Sequence, residues 1–199
     1  SILILSKNLH LRRKILEKNL KKGYNYYIYL WRIAMYKIND YLIYKREVCQ
    51  VKALTKINNQ DYYILENKAD SSLKISVPLK EERNLLRPLS TFKEITKSLD
   101  NIDNIKPLNL TDRNLEEQYK SLLQGNTLED LIVIMKTTYL RNEVRKSNKK
   151  HLGDKDTYYQ ELSEKFLFNE VAYSMQISYD DAKELVLNKL ASSVYKKEI

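Results

Sequence analysis

Arg141, Arg145 and Lys149 recur four residues apart with Lys146 and Lys150 beside them, a dense group of cations. On a helix that spacing puts the three on one side. A row of guanidinium and ammonium groups suits one chemistry, the neutralisation of phosphates along a polyanion without readout of its sequence. The same cations would also complement the negative carboxyl end of a helix dipole as a plain solvated terminus. Reaction chemistry has little to build on. The three glycines, Gly23, Gly125 and Gly153, leave no glycine-rich phosphate loop, no Ser, His and Asp are spaced as a nucleophilic group, and carboxylates such as Glu161 and Glu164 sit where helix surfaces hold them. The single cysteine, Cys49, can form no internal disulfide and reads as core. Two histidines are too few for a zinc cluster, so a reducing cytoplasm is expected, with no enzyme activity, metal or cofactor.

The element that must position the cations is the stretch LEDLIVIMKTTYLRNEVRKSNKK, residues 128–150. Leu128, Leu131, Met135, Thr138, Tyr139 and Asn142 recur at helical spacing, which turns one side of a helix to a core and leaves Arg141, Arg145 and Lys149 on another. Asn126 with Glu129 reads as the start of that helix, and Gly125 as the end of the one before. Global charge adds little to the case for nucleic acid. Residues 1–34 hold eight Lys or Arg against Glu17, so +7 of the net +9 lies there and only +2 elsewhere.

That first stretch, with a mixed basic and apolar sequence and no alternation, is expected to be a leader of upstream-translated origin. Met35 is the first methionine, and the preceding Trp31-Arg32 can be encoded TGGAGG, a purine-rich ribosome-binding sequence. Its apolar run ILIL is too short to span a bilayer. From Met35 the pattern acquires period two. Ile38, Leu42 and Tyr44 share a side, then Cys49, Val51 and Ala53; Asn58-Asn59 offers a turn before a run at 62–66; Leu73, Ile75 and Val77 alternate until Pro78; and LLRPLS at 85–90 supplies a fifth strand. Thr91 with Glu94 opens a short helix to about Leu99, and residues 100–110 read as a linker. Helical patterns fill residues 111–199, among them one holding Tyr159, Leu162, Phe166, Val171 and Met175, and one capped by Ser178 with Asp181 and holding Leu185, Val186 and Leu190. The expected class is α+β, a small antiparallel β-barrel of Tudor-like type over 35–99 followed by an α-helical bundle.

Read in order, MYKINDYLIYK (35–45), DYYIL (61–65), LKISVP (73–78), LLRPLS (85–90), YKSLLQG (119–125), EDLIVIMKTTYLRN (129–142) and ELSEKFLFNE (161–170) resemble the CarD-like bacterial transcription regulators, whose barrel is shared with the polymerase-binding module of transcription-repair coupling factors. The resemblance covers residue 35 to about 190. It implies a barrel that docks on the β subunit of RNA polymerase and a helical domain that contacts promoter DNA at the upstream edge of the melted bubble. It further implies a monomeric, nucleoid-associated bacterial protein without a reaction or cofactor. Lys56, Lys74 and Ser76 are the implied polymerase contacts, and Arg141, Arg145, Lys146, Lys149 and Lys150 the DNA contacts. Two features depart from the family. Lys45-Arg46-Glu47-Val48 replaces a frequent Pro/His/Gly turn, and the tryptophan that wedges into the minor groove has no counterpart in LNLTDRNLEEQY. Leu108 or Leu110 is the smaller apolar substitute, and ordinary linker packing is the alternative role for both. A protein-only adaptor, with the barrel edge binding a partner by strand addition and the basic helix end merely solvated, is the competing function.

Overall fold

Alternating apolar residues between turn-forming pairs build the first half of the chain into strands. The computed structural model describes residues 35–81, 85–109, 114–125 and 127–195. The expected leader 1–34, Leu110 and Asn126 lie outside the described residues. Five strands, β1 (Tyr41–Tyr44), β2 (Glu47–Ile57), β3 (Gln60–Asn67), β4 (Lys74–Pro78) and β5 (Leu86–Pro88), form one sheet in the order β4-β3-β2-β1-β5. Every neighbouring pair is antiparallel. The antiparallel sheet is as expected, with the fifth strand at its edge, and among the described residues it is not closed into a barrel, because β4 and β5 stand at opposite ends of the order and do not pair with each other.

One face of the sheet carries Leu42, Cys49, Val51, Leu54, Tyr63, Leu65, Val77 and Leu86, with Tyr36 closing over them. Ala53, expected inward, is only half-buried because a bulge between Val51 and Ala53 hands the inward position to Leu54. Ile38 and Leu73 also miss the core, being 50% and 47% exposed beyond the paired segments. Asn58 and Asn59 turn β2 into β3 with φ of 47° and 65°, a conformation Asn tolerates. The β1–β2 turn uses the same left-handed pair at Lys45 and Arg46, φ 48° and 72°, where neither residue type favours it.

Among the described residues five α-helices follow: α1 (Phe92–Asp100), α2 (Leu115–Gly125), α3 (Leu128–Ser147), α4 (Asp154–Met175) and α5 (Tyr179–Tyr195). Thr91 and Glu94 cap α1 reciprocally, as their spacing predicts, and the Ser178 hydroxyl accepts from the Asp181 amide at 3.0 Å to start α5. The start of α3 falls one residue later than expected. Thr127 is the N-cap and Asp130 its reciprocal partner, while Glu129 accepts instead from Ser98 Oγ at 2.6 Å. The helical core joins Ile95 and Leu99 of α1, Leu128, Leu131, Ile132 and Met135 of α3, Phe166, Leu167, Phe168 and Val171 of α4, and Ala182, Val186 and Leu190 of α5. The stretch expected as a linker is itself packed there: Ile102 and Ile105 are buried, and Lys136 Nζ donates to their carbonyl oxygens at 2.6 and 2.9 Å.

Sheet and helices are tied at one end of the sheet. Arg46, 4% exposed, donates from Nε to Leu123 O (3.0 Å), from Nη1 to Thr127 O (2.7 Å), and from Nη2 to Leu122 O (2.6 Å) and Asp130 Oδ2 (3.2 Å). Burial pulls the Arg46 guanidinium below its ordinary pKa, with Asp130 opposing the shift. Glu170, 1% exposed, accepts both Arg87 Nη groups at 2.6 Å and the Ser90 hydroxyl at 2.6 Å. Lys165 pairs with Glu47 at 2.6 Å, and the Tyr41 and Tyr173 rings lie 5.2 Å apart with their planes tilted by 38°.

Candidate nucleic-acid interface

The inner side of α3 is filled as its spacing predicts, with Leu128, Leu131, Met135, Thr138 and Asn142 buried and Tyr139 half-buried. Thr137 and Thr138 return their hydroxyls to the carbonyls of Val133 and Ile134 at 2.7 and 2.9 Å, so these polar residues sit in the helix without orphaned groups. The helix ends in a left-handed cap. Lys149 has φ 53°, its amide donates to Lys146 O at 2.9 Å, and the Lys150 amide reaches back to Arg145 O at 2.9 Å. Glycine is the usual occupant of such a position; here a lysine holds it with its side chain exposed.

The five cations divide into two kinds. Arg141 is drawn inward, its Nε 2.9 and 3.1 Å from the two carboxylate oxygens of Asp156, which is 3% exposed. Tyr119 Oη donates to the same carboxylate at 3.1 Å, and burial first, then the Asp156 charge, pushes the Tyr119 phenol well up from its ordinary pKa. Arg145 stands at the rim with Nε 4.0 Å from Asp156 Oδ2. Between these groups and the start of α4 lies a cleft of about 310 Å³ lined by Leu115, Tyr119, Arg141, Arg145, Gly153 and Lys155 among others. Lys146, Lys149 and Lys150 are exposed beyond it; Lys146 makes a surface pair with Glu143 at 2.8 Å, of the kind that contributes little. The arrangement offers a cluster of exposed charges around the helix end with one arginine spent on internal structure.

Leu108 is half-buried against the cluster of Leu115, Tyr119, Ile134 and Tyr159, and its amide donates to Thr137 Oγ1 at 2.9 Å. Linker packing is therefore its role in this structure. Among the implied polymerase contacts, Lys74 and Ser76 are exposed on β4 and stand in register with Glu66 and Ile64. Lys56 is exposed near the β2–β3 turn opposite Asp61, whose position alternates with those of Ile64 and Glu66, so the register sets Lys56 on the other face from Lys74 and Ser76. Among the described residues β4 pairs on one side only, with β3.

Sequence reasoning missed Asp156 and Arg46. Asp156 reads as one more acidic residue in the first turn of a helix, and only the approach of α2 and α3 makes it the shared acceptor of Tyr119 and Arg141. Arg46 carries a detectable signal, a bulky cation in a two-residue hairpin loop that prefers Asn and Gly. Among the described residues no group of His, Cys, Asp or Glu is placed to hold a metal ion, and no helix is long and apolar enough to cross a membrane. No protein-family model matches the chain, and no curated protein matches it.

Proposed function

We propose that this protein regulates transcription by binding the β subunit of RNA polymerase along the β4 edge of its sheet and by resting the basic end of α3 on the promoter DNA backbone. Backbone pairing along an unpaired edge would supply the polymerase affinity, with Lys74 and Ser76 orienting the partner. Arg145, Lys146, Lys149 and Lys150 would meet phosphates and position the protein without reading bases. The observation that carries this reading is Lys149, an exposed cation held in a left-handed conformation that favours glycine, in the middle of the exposed charges at the end of α3. A second reading, an adaptor that binds polymerase or another protein without touching DNA, draws on a different observation: Arg141 is committed to Asp156, and Leu108 is packed and offers no wedge. Binding of the full chain to the isolated β subunit tests the partner. The double variant Lys74→Glu/Ser76→Glu, altered at exposed positions, should lose at least about tenfold in affinity, since like or misplaced charge at an edge opposes strand addition. Wild-type affinity in a folded double variant would remove the β4 edge from the proposal.

A further inference from the structure

The turn between β1 and β2 places two bulky cations where a two-residue hairpin loop prefers Asn and Gly, and buries one of them. Lys45 and Arg46 both hold left-handed backbone, φ 48° and 72°. The Arg46 side chain then leaves the sheet and ends, nearly fully buried, on three carbonyl oxygens and one carboxylate of the α2–α3 corner. Leu122 and Leu123 lie in the last turn of α2, where helix carbonyls lack internal partners, and Thr127 is the N-cap of α3. One guanidinium thus fastens the end of one helix and the start of the next to the sheet. Asp130 completes the set, being at once the acceptor from Arg46 and the reciprocal partner of the Thr127 cap. The planar fork of arginine can serve acceptors in several directions at once, and a lysine ammonium cannot reproduce that geometry. α3 is the helix that carries the exposed cations, and the strands joined by the Arg46 turn belong to the sheet whose far edge is β4.

We propose that Arg46 is a positioning residue that fixes the orientation of α3 relative to the sheet, so that a protein bound on β4 and a polyanion at the end of α3 are presented in one geometry. The consequence for two partners rests on the function proposed above; the fixed orientation does not. Fixed geometry matters because a second binding event gains from the first only when the two sites are held within reach of their targets together.

The test uses the full chain with spin labels on cysteines introduced at Lys80 and Lys183, exposed positions after β4 and on α5 that belong to neither proposed surface. Cys49 is buried with its thiol pushed up to about 12, so labelling is confined to the introduced sites. Wild-type protein should give a narrow distance distribution. Arg46→Lys should broaden it at least about twofold while the protein still melts cooperatively, and Glu47→Ala, which removes only the more exposed tie to Lys165, should not. A folded Arg46→Lys variant with the wild-type distribution overturns the proposal. Should that variant fail to fold, Asp130→Asn, which removes the charged acceptor of the fork, takes its place with the same expectation, and an unchanged width there overturns the proposal equally. On polymerase, Arg46→Lys should keep β-subunit affinity within about twofold yet weaken DNA held on the complex about tenfold. Broadening without that loss would leave the orienting role standing and overturn its use in holding two partners.

Discussion

At the scale of single residues, cations that look equivalent in the sequence have different fates. Arg141 satisfies a buried carboxylate, whereas Lys150 is exposed. Arg141→Ala is therefore expected to cost on the order of 3 kcal/mol, because it strips a charge partner from buried Asp156. Lys150→Ala should cost about half a kcal/mol or less. Urea denaturation of the two variants checks the contrast, and equal costs would contradict it. Lys149 supplies a sharper case. Lys149→Gly removes the side chain from a left-handed position and should raise stability by up to about 1 kcal/mol while lowering polyanion affinity. A gain in stability together with a loss of binding would mark a charge retained against backbone preference; no change in binding would reduce Lys149 to a strained cap. Tyr119 provides a pH signature. Its folded pKa lies above the ordinary value of 10, so its contribution is fully present below pH 10 and declines as pH rises beyond it, when the unfolded chain ionises first. Wild-type protein should lose stability above pH 10 more steeply than Tyr119→Phe, and parallel curves would show that the phenol does not matter there.

Elements were legible where a period or a cap is local. The capped start of α1, the Asn58-Asn59 turn and the core positions of Leu131, Met135, Phe166, Val171, Val186 and Leu190 follow from spacing within one segment, whereas the buried Ile132, Leu167, Phe168 and Ala182 lie beside the stripes that spacing marks out. The bulge at Val51 and Ala53 was not legible, since an extra residue in one strand is defined only against its partner. Nor was the openness of the sheet, which depends on where β5 pairs. The role of Asp156 depends likewise on three helices meeting. The α2–α3 corner shows how closely such meetings are fitted. A Cβ placed on Gly125 would lie 2.5 Å from Asp130 Oδ2, and that oxygen is already held by the Thr127 amide and by Arg46. Gly125→Ala should accordingly destabilise the protein by about 1–3 kcal/mol, measured by thermal or chemical melting. A neutral outcome would mean that Asp130 can move and that the corner is looser than its hydrogen bonds imply.

At the scale of the whole molecule, the ties through Arg46, Glu170 and Lys165 make the sheet dependent on the helices. Residues 35–99 alone would uncover the Arg46 guanidinium and the Ile95 and Leu99 side of α1, and would take Glu170 away from Arg87. That fragment is expected to melt without a cooperative transition, as followed by circular dichroism; a sharp transition near that of the full chain would show that the sheet stands by itself. Binding experiments therefore require the intact protein, and the most direct of them concerns DNA. The affinity of the full chain for duplex DNA, followed from low to high salt, should fall linearly on logarithmic axes. In Lys146→Ala/Lys149→Ala/Lys150→Ala the slope should be shallower by roughly 0.9 for each phosphate no longer neutralised, with a similar drop in affinity on every DNA sequence. A folded triple variant that keeps the wild-type affinity and slope would contradict the DNA-binding role and leave the protein-only adaptor in its place.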